Sequence, residues 1–367
     1  MSMATACNAT GSQENGGSSA GKKTLIIGTA LEPASLHILR DGDDGNELVN
    51  WSINEPLVDR TSDGLVPVLA TELPTHDKSD PNRWHVKLRK GVTFTNGEPF
   101  NADVVKENID MIVNPKFGAT INGFETLKTA QVIDEYDVDL ITIQPDPYLL
   151  YRLATIRFVP PKASADADAY SQHPIGTGPY KFAEWDKGQR IVLVKNDNYW
   201  GGSGAQLDKV EFRFIPEEAA RIAALNAGEV DMITGIAPDE VKQVPQVLRS
   251  DGYGRTSVLR FNLEMPPFDD PKFRQALEYA IDRNSLNKNL FAGQDHVSQC
   301  QVLPPGEFGF NDSLHAYPYD PEKAKELLSQ VNLPSGSGSR WRQRPVATKR
   351  RTTKSGKPLR PIGRRSD

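Results

Sequence analysis

The side chains able to do chemistry are scattered along this chain. Six histidines (His37, His76, His85, His173, His296, His315) show no helical or hairpin pairing of the kind a metal ion needs. Each reads as a surface or hydrogen-bonded residue. Two cysteines, Cys7 and Cys300, build neither a disulfide framework nor a four-ligand zinc site. There is no Gly-x-Ser-x-Gly elbow, no His-Glu-x-x-His and no complete dinucleotide fingerprint. Two partial motifs fail on their own terms. Gly16-x4-Gly21-Lys22 puts Lys23 where a phosphate loop needs Ser or Thr, and strand-like residues follow instead of a helix. Asp41-Gly42-Asp43-Asp44-Gly45-Asn46 opens like a calcium loop, but position five is Gly and position twelve is Ser52. The expectation is binding without catalysis, metal or cofactor. A carboxylate pair for glycoside chemistry stays open, because the many acids leave too many combinations, and a hydrolase is the alternative class.

Charge divides the 367 residues sharply. Ser335 to Asp367 holds 11 Lys or Arg and one acid, which leaves 32 basic and 47 acidic residues before it, a net of −15. So acidic a body repels nucleic acid and anionic lipid, and no nucleic-acid partner is expected. The tail, 335–367, reads either as a basic arm or as sequence with no selected role. Its abrupt start after an amphipathic helix favours the second. No run approaches the ~20 apolar residues of a spanning helix. Residues 1–22 have the Gly/Ser-rich composition of a linker. Within them Ala4-Thr5-Ala6-Cys7 looks like the end of a lipoprotein signal, which makes Cys7 a candidate lipid-attachment site. A chance cysteine is the other reading.

The elements alternate irregularly, which favours α/β with insertions. Leu25 to Thr29 reads as a buried strand, with Glu32-Pro33 as a turn. Trp84, Val86 and Leu88 alternate with His85, Lys87 and Arg89, the period of a half-buried strand. Asn101 caps a helix to Val113 with Val105, Ile109 and Ile112 inward. Val132 to Ile143 predicts a hairpin turning at Glu135-Tyr136-Asp137, and Tyr180 to Trp185, Ile191 to Lys195 and Val210 to Ile215 predict strands. An alanine-rich helix from Glu217 to Ala227 stops at Gly228. Asp270-Pro271 and Asp320-Pro321 each start a helix, the first with Phe273, Leu277, Ala280 and Ile281 as its stripe. The second carries Ala324, Leu327, Leu328 and Val331.

Several segments together carry a resemblance. They are Pro67-Val68-Leu69-Ala70, the stretch from Trp84 through Asn96-Gly97-Glu98-Pro99-Phe100-Asn101, Ile175-Gly176-Thr177-Gly178-Pro179-Tyr180, and Asn198-Tyr199-Trp200-Gly201-Gly202. Gly228-Glu229-Val230-Asp231, Arg260-Phe261-Asn262, Pro267-Phe268-Asp269-Asp270, Ala280-Ile281-Asp282-Arg283 and Tyr319-Asp320-Pro321 follow in order. This set resembles the extracytoplasmic solute-binding proteins of peptide and nickel ABC importers, family 5, with one position lost at Ala102-Asp103-Val104. The resemblance implies a two-lobe clamshell of the periplasmic-binding type, with an extra subdomain inserted in the first lobe. Lobe I would take 23–259, with the insertion at about 51–160, and lobe II would start at 260–334 and be incomplete. It further implies extracytoplasmic capture of a peptide or other small solute by hinge closure, delivery to membrane permease subunits, a monomer, and a periplasmic or membrane-anchored location. Nickel or oligosaccharide ligands, or a non-functional fragment, are the alternatives. Glu32, Pro33 and Ala34 at the first strand's end, and Asn262 at the lobe crossing, are the ligand-contact candidates.

Overall fold

In the computed structural model, the Leu25-Ile26-Ile27 run forms the interior of strand β1, Thr24–Thr29. The described residues are 23–248 without 62, 122 and 203, together with 258–333 without 259, 294–296 and 306–308. Gly16, Gly21, Cys7, His296 and the basic tail lie outside them. By contacts the chain divides into two compact units, 1–249 and 250–367.

In the first unit, helix α1 (Asp44–Asn50) follows β1, and its N-terminus is capped by Asp43, whose carboxylate accepts from Asn46 N–H at 2.7 Å. The acidic run at 41–46 is thus a helix start. Strands β2 (Val58–Thr61) and β3 (Gly64–Pro67) form an antiparallel ribbon. Then come β4 (Thr75–His76), β5 (Arg83–Lys87), α2 (Ala102–Val113), β6 (Leu127–Asp134) and β7 (Asp137–Thr142). Short helices α3 (Leu149–Leu153), α4 (Pro161–Ser164) and α5 (Ala167–Tyr170) lead into β8 (Tyr180–Asp186), β9 (Arg190–Lys195) and β10 (Lys209–Phe214). Helix α6 (Glu218–Asn226) and strand β11 (Met232–Ile233) end the series.

Two sheets result. A five-stranded sheet runs β11-β1-β10-β9-β8, with β1 parallel to both neighbours and the rest antiparallel. An antiparallel sheet runs β4-β5-β7-β6. The first sheet therefore takes its strands from 24–29 and from 180 onward, while 75–142 builds the second. Trp84, Val86 and Leu88 point into the second sheet's core with Phe94, Phe100, Ile109 and Leu140. Asn101 caps α2 by accepting from Val104 N–H at 3.1 Å. Ile27, Leu36, Val49, Ile53 and Phe212 share the core under the first sheet.

In the second unit, α7 (Pro271–Ala280), α8 (Arg283–Leu290) and α9 (Pro321–Ser329) are each capped by an aspartate, at 270, 282 and 320. Phe273 and Ala276 are the buried residues of α7, while Ala280 is exposed at its last position. Phe273 is thus buried as expected and Leu277 and Ile281 are partly covered, while Ala276 rather than Ala280 is the small residue packed inward. Helix α8 has no apolar stripe strong enough to be legible in the sequence, and none of its residues is buried.

His37 corrects the expectation for the histidines. It is fully buried, and neither ring nitrogen has a hydrogen-bond partner. Its ring packs against Tyr170 at 4.9 Å and Phe117 at 5.8 Å. Burial, with the nearby Arg40 charge, lowers its pKa to about 4; the Ser164 backbone and Asp41 oppose this more weakly. The unfolded chain, titrating near 6.5, binds the proton first. The stability this group contributes is present above that value and is lost as the pH falls towards 4, by about 3 kcal/mol. His37→Phe, which suits the aromatic surroundings, is expected to flatten the loss of melting temperature between pH 6.5 and 4. An unchanged pH profile in the variant excludes His37 as the cause.

Candidate functional site

Glu55 is the residue around which the family-like segments meet. An acid inside the apolar stretch Ile53 to Val58 has no place to go but inward, and it is nearly fully buried. Its Oε1 accepts from the Tyr199 hydroxyl at 2.7 Å. Its Oε2 accepts from Thr177 Oγ1 at 2.8 Å and Trp200 Nε1 at 2.7 Å. Burial pushes the carboxyl above its ordinary range, while the three donors and the Arg157 charge favour the ionised form. The Gly-Thr-Gly turn and the Tyr-Trp pair, far apart in sequence, are therefore bound to one carboxylate.

The glycines of that turn are needed for backbone contact. Gly178 N–H donates to the Ile53 carbonyl at 2.8 Å, and Tyr180 N–H to that of Ser52 at 3.1 Å. A Cβ at Gly176 would run into the Ile53 carbonyl, and one at Gly178 would stand 2.6 Å from the Ser52 oxygen. Asn54 donates from Nδ2 to the Phe158 and Ile175 carbonyls at 2.9 and 3.1 Å. One and two turns earlier, Asn50 and Asn46 donate to the Leu36 and Ser35 carbonyls at 3.2 and 2.7 Å. Asn46 and Asn50 thus hold the segment after β1, and Asn54 continues the ladder to 158 and 175.

That segment carries the candidate contacts Glu32, Pro33 and Ala34. The Glu32 carboxylate accepts from Trp185 Nε1 at 3.0 Å and Gly188 N–H at 2.9 Å, bracing the β8–β9 turn. Pro33 is buried, and its nitrogen lies 3.2 Å from where a Cβ at Gly45 would stand, close against α1. Ala34 is exposed, and its N–H donates to Asp43 at 3.4 Å. Leu31 beside them is half exposed. The structure thus keeps these three together and occupies the Glu32 carboxylate internally. Asn262 belongs to the second unit, where its side chain accepts from Glu264 N–H at 3.1 Å in a local turn. Cys7 lies outside the described residues. Among the described residues, no group of three or more His, Cys, Asp or Glu could hold a metal ion. No described helix is long and apolar enough to cross a membrane.

The sequence reading passed over Glu55, the asparagine ladder and Arg157. Their signal was available: Asn46, Asn50 and Asn54 recur every four residues through a stretch otherwise rich in apolar residues, and Glu55 interrupts it.

Comparison with solved structures places this fold among bacterial solute-binding proteins. The peptide-bound (STSA) form of the periplasmic binding protein DppA from Helicobacter pylori matches with a TM-score of 0.69 at 27% identity, covering 84% of this chain and 65% of that one. NikZ from Campylobacter jejuni, in complex with Ni(L-His), matches with a TM-score of 0.70 at 27% identity, covering 84% and 63%. The chain belongs to the bacterial extracellular solute-binding proteins, family 5, whose middle-region model matches residues 64–360. That span includes part of the basic segment after Pro334. The glutathione-binding protein GsiB of Pectobacterium atrosepticum is 30% identical over 280 residues, covering 74% of this chain and 54% of that protein. The chain spans about half the length of such relatives.

The Glu55 node can be tested by stability. Glu55→Gln replaces an acceptor oxygen by a donor amide and is expected to cost about 2 kcal/mol in urea unfolding. Gly176→Ala, blocked by backbone, is expected to cost about 3 kcal/mol. Gly97→Ala, where φ is +88° and nothing stands near the new Cβ, is expected to cost about 1 kcal/mol. Equal losses at Gly176 and Gly97 would remove the close-approach argument.

Proposed function

We propose that this chain captures short peptides outside the cytoplasm for an ABC importer and leaves them chemically unchanged. The observation that carries the reading is the family match across 64–360, which takes in residues of both units. The relatives named as glutathione- and peptide-binding favour peptides as the solute class. The domain reading is lobe I at 23–259, with an insertion at about 51–160, and the start of lobe II at 260–334. Closure about a hinge is the working step: contacts made only in the closed state pull the equilibrium towards it, and the permease then receives the loaded form. The segment Thr29 to Ser35 supplies the first lobe's backbone contacts, with Glu32 as brace and Ala34 facing outward. Backbone recognition suits broad specificity, since every peptide carries the same amide groups. Cys7 serves as the lipid tether.

Calorimetry of the full chain against di- to tetrapeptides, glutathione included, is expected to give saturable binding in the micromolar range. Mass spectrometry after prolonged incubation should recover the peptides intact. Cleavage that tracks the protein concentration would replace this reading by the hydrolase one.

A further inference from the structure

His85 faces a carboxylate from each of its ring nitrogens. It sits in the middle of β5, opposite Thr75 of β4 on one side and Asp139 of β7 on the other. Its Nδ1 lies 2.6 Å from Asp139 Oδ1, and its Nε2 lies 3.3 Å from Asp77 Oδ2. The two acids belong to different elements and differ in freedom. The Asp139 side chain is only 4% exposed and also accepts from the Arg83 guanidinium, whereas Asp77 stands where the β4–β5 turn begins. Asp77 organises that turn: its Oδ1 accepts from Ser79 N–H at 2.7 Å, Ser79 Oγ at 2.8 Å and Asp80 N–H at 3.3 Å. The imidazole therefore links the first half of the turn to β7 across β5.

Two such contacts need two N–H groups, and a neutral imidazole has one. The nitrogen without a proton would aim its lone pair at a carboxylate oxygen, a repulsive arrangement. The geometry is that of the imidazolium. The bond to Asp139 above all holds the ring's pKa above 6.5, with Asp77 adding to it and burial opposing. The Ser79 donors keep the Asp77 carboxyl down at about 2, so it stays ionised wherever His85 titrates. The other charges on this face are engaged with one another. Arg83 spans from Asp80 Oδ2, at 3.5 Å, to Asp139. Lys87 pairs with Glu72 at 3.0 Å and lies opposite Asp137, while β6 places the neutral Gln131 opposite Asp139.

We propose that His85 is a pH-operated latch on the β4–β5 turn. As the imidazolium it ties Asp77 to Asp139. As the neutral ring it keeps its one N–H on the buried Asp139 and turns a lone pair towards Asp77, which frees residues 77–80. Arg83 holds the far end of the turn in both states. The stability contributed by the latch is fully present below 6.5 and is lost as the pH rises through the folded value of the ring. His37 acts in the opposite direction, losing stability as the pH falls towards 4. The two histidines thus bound, from above and below, the range in which the first unit is most stable. The latch does not depend on which solute the protein captures.

The test follows the full chain by NMR between about pH 5.5 and 9, reading the His85 ring and the Ser79 and Asp80 amides. The ring midpoint is expected above 6.5, with both amide signals shifting at that same midpoint and their order parameters falling as it is passed. In His85→Gln, which has no charge to lose, these amides should stop moving with pH and sit at the high-pH positions of the unaltered protein. Asp77→Asn keeps an acceptor for Ser79 but removes the charge, and should lower the His85 midpoint. His76 is the other titrating group at this turn, its Nε2 2.9 Å from the Pro81 carbonyl. His76→Gln should leave the coupled shift in place. Amides that stay still while the His85 ring titrates, or that move equally in His85→Gln, overturn the latch. A His85 midpoint at or below 6.5 overturns it as well.

Discussion

One buried carboxylate makes the first unit possible. Glu55 is withdrawn from water, a costly position for an acid unless hydrogen-bond donors meet it. Three donors from two distant segments meet it, and each would itself be left unmet without the acid. The dependence is mutual, so the Gly-Thr-Gly turn and the Tyr-Trp pair are positioned together or not at all. Arg89, lying 5.0 Å over the Trp200 ring, extends the same junction to the residues just after β5.

The second constraint is irregular backbone in the interior. Segments 31–43 and 154–160 are neither helix nor sheet for most of their length, yet much of each is buried. Buried carbonyls and N–H groups there cannot use water, so side-chain amides complete them. Asn46, Asn50 and Asn54 serve carbonyls at 35, 36, 158 and 175, and Asn108 pairs with both the N–H and the carbonyl of Val159. An amide suits this work because it donates and accepts without charge. Such stitching fixes the segment after β1 against the body of the first unit.

Function in this fold follows from that arrangement more than from reactive groups. The acids and bases gathered in the first unit mostly pair with one another: Arg83 and His85 share Asp139, and Arg190, Lys209 and Arg213 surround Glu211. These networks fix the polar faces of the two sheets. An exception is His37, plugged among aromatics with neither ring nitrogen hydrogen-bonded.

Strand β1, the alternating strand around 84–88, the Asn101 cap, the hairpin at 132–143 (whose first strand starts earlier, at Leu127) and the aspartate-proline helix starts were legible in the sequence. Each depends on residues within a few positions of one another, where period and capping chemistry are local. The family was legible for the same reason, since its short motifs survive as strings. The partners of Glu55 and the unpaired ring of His37 were not. A hydrogen bond from residue 199 to residue 55, or the lack of one at the ring of residue 37, depends on how distant segments pack. The sequence by itself determined the strands and helices whose period and capping residues are local. Only the tertiary structure decided which polar groups lost their water and which of them found a partner, because desolvation is set by everything that surrounds a group and not by its neighbours in the chain.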